Sequence, residues 1–122
     1  MTTARPANPA RPAPGTTLCA LDAIGDPGAK GFRFRAGDYL FLGFVVRQGA
    51  AVRGYVDRCP HAGTPLALVG DRFLTREGDL ILCSWHGALF DIESGRCVGG
   101  PCMGAGLSVW PVAVQDGIVR TA

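Results

Sequence analysis

Both histidines of this 122-residue chain stand beside cysteines. "CPH" places Cys59 and His61 one residue apart, and "CSWH" places Cys83 and His86 two residues apart. Thiolates and imidazoles are transition-metal ligands. Each pair lies in a stretch rich in turn residues, "CPHAGTP" and "CSWHGA", and the 21 residues 62–82 separate His61 from Cys83. A hairpin that brings the bases of two such loops together would gather four ligands from two short segments. The spacing narrows the choice of metal. One residue between Cys59 and His61 is tight for two ligands on one tetrahedral zinc, whose close ligands are usually two to five residues apart. A dinuclear iron–sulfur cluster is better served, because Cys and His from one loop can then serve different irons.

The elements that must position these loops read as strands. Hydrophobic residues make up 48% of the chain and charged residues 18%, a globular balance, and 18 Gly and nine Pro imply many turns. Strand-like runs are "TLCALDAI", "GFRFRAG", "YLFLGFVVRQG", "AVRGYVDRC" and "DLILC". In "GFRFR", Phe32 and Phe34 fall on one face and Arg33 and Arg35 on the other. Hairpins are expected at Gly49, at Ser94-Gly95 and at Asp116-Gly117, with a turn at "REGD". The fold class is therefore all-β, one domain over 17–122, with no internal repeat. Residues 1–16, "MTTARPANPARPAPGT", have no hydrophobic period and read as a disordered, extended tail. A transit peptide is the weaker reading, because the prolines break any amphipathic helix.

Charge and cysteine usage exclude other classes. The net charge is +2, and Arg5 and Arg11 account for it, so the body is neutral and offers no footprint for nucleic acid. No early apolar run is long enough for a signal peptide or membrane anchor. Five cysteines, an odd number, argue against a plain disulfide framework. The expected address is the reducing cytoplasm, where paired Cys and His usually mean metal. Cys19, Cys97 and Cys102 are expected as buried small apolar residues, with Cys102 close to the metal site beside Pro101.

The pattern C-x-H…C-x-x-H resembles the Rieske family. "HGALFDIESGRC" looks like the hairpin that follows the second ligand pair in that family. "GGPCMGAGLSVWPV" looks like its Pro-containing covering loop and the strands after it. The resemblance implies an antiparallel β-sandwich with a small cluster-binding subdomain. It also implies one [2Fe–2S] cluster, with Cys59 and Cys83 on one iron and His61 and His86 on the other. Imidazole ligation leaves the reduced cluster less negative than four thiolates would, which raises the potential. Aligned on the motif, Thr64 and Trp85 stand where high-potential members carry a disulfide, and Ala88 and Phe90 where they carry a Ser and a Tyr hydroxyl. The expected potential is therefore at the low end, on the order of −150 mV. The gap between the motifs is longer than is usual in the family, and "GDRFLTREGD" can protrude without moving either loop.

Trp85 is expected to pack over the second loop and keep water out, and Gly63 and Gly87 to make tight turns with N–H groups near sulfide. With both histidines used, the chain cannot build a 2-His-1-carboxylate iron site, and it has no flavin or nicotinamide fingerprint. The resemblance thus implies an electron-transfer protein and not an enzyme: a stand-alone ferredoxin between a reductase and a terminal oxygenase. The alternatives are a small Rieske subunit of a larger reductase, such as assimilatory nitrite reductase, and a zinc-stabilised binding module.

Overall fold

A strand with apolar residues on every second position buries one face, and one with apolar residues throughout buries both. The second kind is "YLFLGFVVRQ", and it forms the middle strand of the middle sheet. The computed structural model describes residues 8–60 and 63–122. Over these the strands are β1 (Thr17–Ala20), β2 (Gly28–Ala36), β3 (Tyr39–Gln48), β4 (Ala51–Val56), β5 (Leu80–Cys83), β6 (Ala88–Asp91), β7 (Cys97–Gly99), β8 (Val112–Gln115) and β9 (Ile118–Thr121). They pair antiparallel in three sheets of three, ordered β1-β9-β8, β2-β3-β4 and β5-β6-β7. The all-β expectation holds. No helix among the described residues is long and apolar enough to cross a membrane.

Two cores lie on opposite faces of the β2-β3-β4 sheet. Phe41 and Val45 face one core with Val52, Trp110 and Val119. Phe44, Val46 and Tyr55 face the other, shared with Ile81, Cys83, Ala88, Phe90 and Cys59. Trp110 is the hub of the first core, meeting the edges or faces of Phe32, Phe34 and Phe41 at centroid distances of 6.1, 6.4 and 5.2 Å. Gly43 makes room for it, since a Cβ there would fall 2.4 Å from the indole ring. In the second core Phe44 stacks on Phe73 at 4.4 Å, and the Tyr55 hydroxyl donates to the Ile92 carbonyl at 2.6 Å.

The hairpins form where turn chemistry put them. Gln48 pairs with Ala51 across Gly49 and Ala50. Gln115 pairs with Ile118 across Asp116 and Gly117, which take φ of 52° and 74°, the left-handed pair of a type I′ turn. In the β6–β7 turn, the Asp91 carboxylate accepts the Ser94 amide and hydroxyl at 2.8 and 2.7 Å.

Three expectations are corrected. The run "TLCALDAI" is a strand only as far as Ala20, after which Leu21–Ala23 makes a 3₁₀ turn. The segment "GDRFLTREGD" does not simply protrude. Phe73 is buried, the Asp71 carboxylate accepts the Gly31 amide at 2.8 Å, and Leu82 N–H donates to the Phe73 carbonyl. Within it "REGD" does turn, with Gly78 N–H donating to the Thr75 carbonyl at 2.9 Å. Residues 8–16 lie on the body instead of forming a loose tail. The Asn8 amide donates to the Leu40 carbonyl, Ala10 is buried, and the Arg11 guanidinium covers the Phe41 ring at 5.4 Å. The buried Thr121 hydroxyl donates to the Ala13 carbonyl and accepts from Thr16 N–H. The segment turns on itself, with Arg11 N–H donating to the Asn8 carbonyl at 3.0 Å, and other polar groups of it bond to the body, as Gly15 N–H does to the Thr121 carbonyl at 2.8 Å. Residues 1–7 lie outside the described residues.

Candidate metal centre

Each candidate loop is closed by its own backbone. In the first, which follows β4, Cys59 N–H donates to the Thr64 carbonyl at 2.8 Å and Gly63 N–H to the Cys59 carbonyl at 2.7 Å. The Asp57 carboxylate accepts the Leu66 amide at 2.8 Å, and burial pushes its pKa up against that bond. The second loop is the connection between β5 and β6. Cys83 and Ala88 form the last pair of that ladder, and Gly87 N–H donates to the Cys83 carbonyl at 3.0 Å. Gly63 and Gly87 both take φ of 72°, so the expected turn role is met. Two hydrogen bonds join the loops: Ser84 N–H to the Leu66 carbonyl at 2.9 Å and the Trp85 indole N–H to the Pro65 carbonyl at 2.8 Å.

This frame brings Cys59 and Cys83 together. Both are fully buried. Burial raises the Cys83 pKa most, amide hydrogen bonds from Trp85 and His86 lower it, and the neighbouring Cys59 thiol raises it. His86 lies exposed on the same turn, and His61 lies outside the described residues. Among the described residues no group of three His, Cys, Asp or Glu side chains converges on a metal-sized position. The thiol pair is what the described fold assembles.

The donor set suits an iron–sulfur centre. Two adjacent buried thiols are costly to ionise unless a cation neutralises them, and amides aimed at a cysteine sulfur favour its thiolate. The loop between β7 and β8 covers the second ligand loop. Gly100, at φ 81°, lies so close that a Cβ there would meet the Ala88 Cα at 2.9 Å and the Gly87 carbonyl at 3.0 Å.

Cys97 and Cys102 are buried as expected, but they form a disulfide, with Cα atoms 5.9 Å apart. Sequence reasoning missed this pairing, since the C-x₄-C spacing across "VGGP" permits a bridge without requiring one. Cys19 is a half-buried free thiol whose pKa burial raises. Trp85 is not packed away. It is 48% exposed, and its role in the fold is the bond across the loops.

The fold is that of known Rieske-type ferredoxins. The ferredoxin of carbazole 1,9a-dioxygenase from Nocardioides aromaticivorans IC177 superposes with a TM-score of 0.68 at 22% identity, covering 90% of this chain and 98% of that one. A ferredoxin of Sphingomonas yanoikuyae B1 gives 0.64 at 22%, covering 88% and 96%. A chain in the complex of reduced oxygenase and oxidized ferredoxin in carbazole 1,9a-dioxygenase gives 0.66 at 25%, covering 87% and 90%. Among curated proteins, a cholesterol 7-desaturase of Hemicentrotus pulcherrimus is 32% identical over 98 residues, 68% of this chain. The chain spans about a fifth (20%) of that relative's length. Residues 22–115, which include both ligand loops and the covering loop, match the Rieske [2Fe-2S] domain, and the chain belongs to that family.

Proposed function

We propose that this protein is a one-electron carrier that takes electrons from a reductase and delivers them to a terminal oxygenase. The supporting observation is the buried Cys59–Cys83 thiol pair held at the end of two joined loops, with His86 exposed beside it. In this reading Cys59 and Cys83 would hold one iron and His61 and His86 the other, within a single domain onto which residues 8–16 also pack. When bound, a Rieske-type cluster takes up and releases one electron at a time.

The chain's own residues do the rest. The Trp85 and His86 amides stabilise the Cys83 thiolate. Ser84 and Trp85 keep the loops in register. The covering loop keeps water from Ala88, which is fully buried. An imidazole at the surface shortens the path to a partner. Two large apolar side chains are exposed on these loops: Trp85 on the candidate ligand loop, next to His86 in the chain, and Met103, 67% exposed, on the covering loop. Two such residues suit the small interface of a transient redox encounter.

The test is the absorption spectrum of anaerobically purified protein before and after dithionite, with iron and zinc assayed on the same sample. A red-brown protein that bleaches and carries two irons per chain is expected, with a midpoint on the order of −150 mV. A colourless protein with one zinc and no iron would overturn the electron-transfer reading. A midpoint above about +100 mV would overturn the low-potential argument from Ala88 and Phe90.

A further inference from the structure

Thr64 carries the one buried side-chain polar atom, among the described residues, that has no hydrogen-bond partner. A desolvated hydroxyl left unpaired is destabilising, so it requires an explanation. Its position supplies one. The Thr64 carbonyl closes the turn that carries Cys59, and the next two residues, Pro65 and Leu66, receive both bonds from the second ligand loop. Thr64 therefore sits at the junction of the Cys59 turn and the seam between the loops.

Among the described residues, several nearby backbone groups are already engaged. Cys59 N–H serves Thr64 itself, Gly63 N–H serves the Cys59 carbonyl and Leu66 N–H serves Asp57. The Pro65 and Leu66 carbonyls accept from Trp85 and Ser84. The buried hydroxyl has no partner among the described residues, and a sulfur of the group these loops would hold is an acceptor it can serve.

We propose that Thr64 is a positioning residue for that group: its hydroxyl donates a hydrogen bond to a sulfur of the centre, a bridging sulfide or the Cys59 thiolate. Sulfur becomes more negative on reduction, so a donor aimed at it stabilises the reduced state more than the oxidised one. Thr64 then supplies from the first loop a donor of the kind that Ala88 and Phe90 cannot supply from the second. The inference rests on the carrier reading above, with Cys59 as a ligand.

The experiment compares the wild-type holoprotein with Thr64→Val, Thr64→Ser and Thr64→Ala by iron content, visible spectrum and redox titration. Thr64→Val keeps the shape and removes the hydroxyl. It should retain two irons and shift the one-electron equilibrium toward the oxidised form by about tenfold, equivalent to 59 mV. Thr64→Ser should stay at the wild-type value, and Thr64→Ala should follow Val. A hydroxyl with no acceptor predicts the reverse: Val would unfold at a higher temperature, because an unpaired polar group is gone, with the potential unmoved. That outcome overturns the proposal. If Val fails to take up iron, the Ser–Ala pair decides, and equal potentials in those two overturn it. Wild-type protein without iron would remove the carrier reading and this inference together. An iron-loaded wild type whose Thr64 variants share its potential removes this inference alone.

Discussion

The two cores are built by different means. The one around Trp110 is held by side-chain packing: an indole in a gap left by Gly43, with phenylalanines from β2 and β3 against it. The end that carries the ligand loops has buried residues too, but its loops are held by hydrogen bonds between segments, a disulfide and a covering loop pressed onto Ala88. The first region holds an indole in a close-packed gap, where a Cβ at Gly43 would already clash. The second must place particular sulfur atoms, and a displaced loop changes what they can bind. Side-chain packing fills both regions, and in the second directional bonds also close the loops.

Four variants would break or sharpen that contrast. The largest effect is expected at Cys83. Cys83→Ser should abolish visible absorbance and iron content while the Trp110 core still unfolds cooperatively, as followed by tryptophan fluorescence. Retention of two irons per chain would mean that Cys83 is not a ligand. Next is Trp110→Ala, which should cost about 3–5 kcal/mol of unfolding free energy by denaturant titration. A loss below about 1 kcal/mol would show that Trp110 is not the hub.

The pair Cys97→Ala with Cys102→Ala opens a short loop, and the chain-entropy relation gives a loss of about 2 kcal/mol. Faster release of iron to a chelator should accompany it, because the covering loop is no longer tied to β7. An unchanged release rate would separate the disulfide from the metal centre.

The smallest effect is at the β6–β7 turn. The Ser94 hydroxyl, then its amide, hold the Asp91 carboxyl below its ordinary value of 3.8. A depressed folded pKa contributes stability that is present above the unfolded value and is lost as pH falls through the folded one. Ser94→Ala should therefore reduce stability at neutral pH slightly and flatten its decline below about pH 4. Parallel curves for variant and wild type would show that the bond contributes nothing measurable.

The contrast also explains what could be read in advance. The alternation of Phe32 and Phe34 with Arg33 and Arg35 appears as inward and outward faces of β2, since a strand's period of two is a local property. Asp116-Gly117 turns as its type requires. Cys59 and Cys83 were recognisable from type and spacing, and the fold joins them. The tail beyond Asn8, the burial of Phe73 and the cysteine disulfide were not legible. Each depends on a partner outside the local pattern: Leu40 for Asn8, Phe44 for Phe73, and a loop bend for Cys97 and Cys102.

Sequence by itself determined the candidate ligand types and their spacing within each loop, the all-β character and the hairpin turns. These follow from residue chemistry and from torsional preferences acting over two to six residues. Only the tertiary structure decided that the two loops are bonded through Trp85 and Ser84, that the covering loop is tied by Cys97 and Cys102, and that the Thr64 hydroxyl is buried without a partner. Those outcomes turn on where whole sheets come to rest. A hydroxyl or thiol has the same local preferences whichever neighbour it finally meets, so spacing alone does not reveal it.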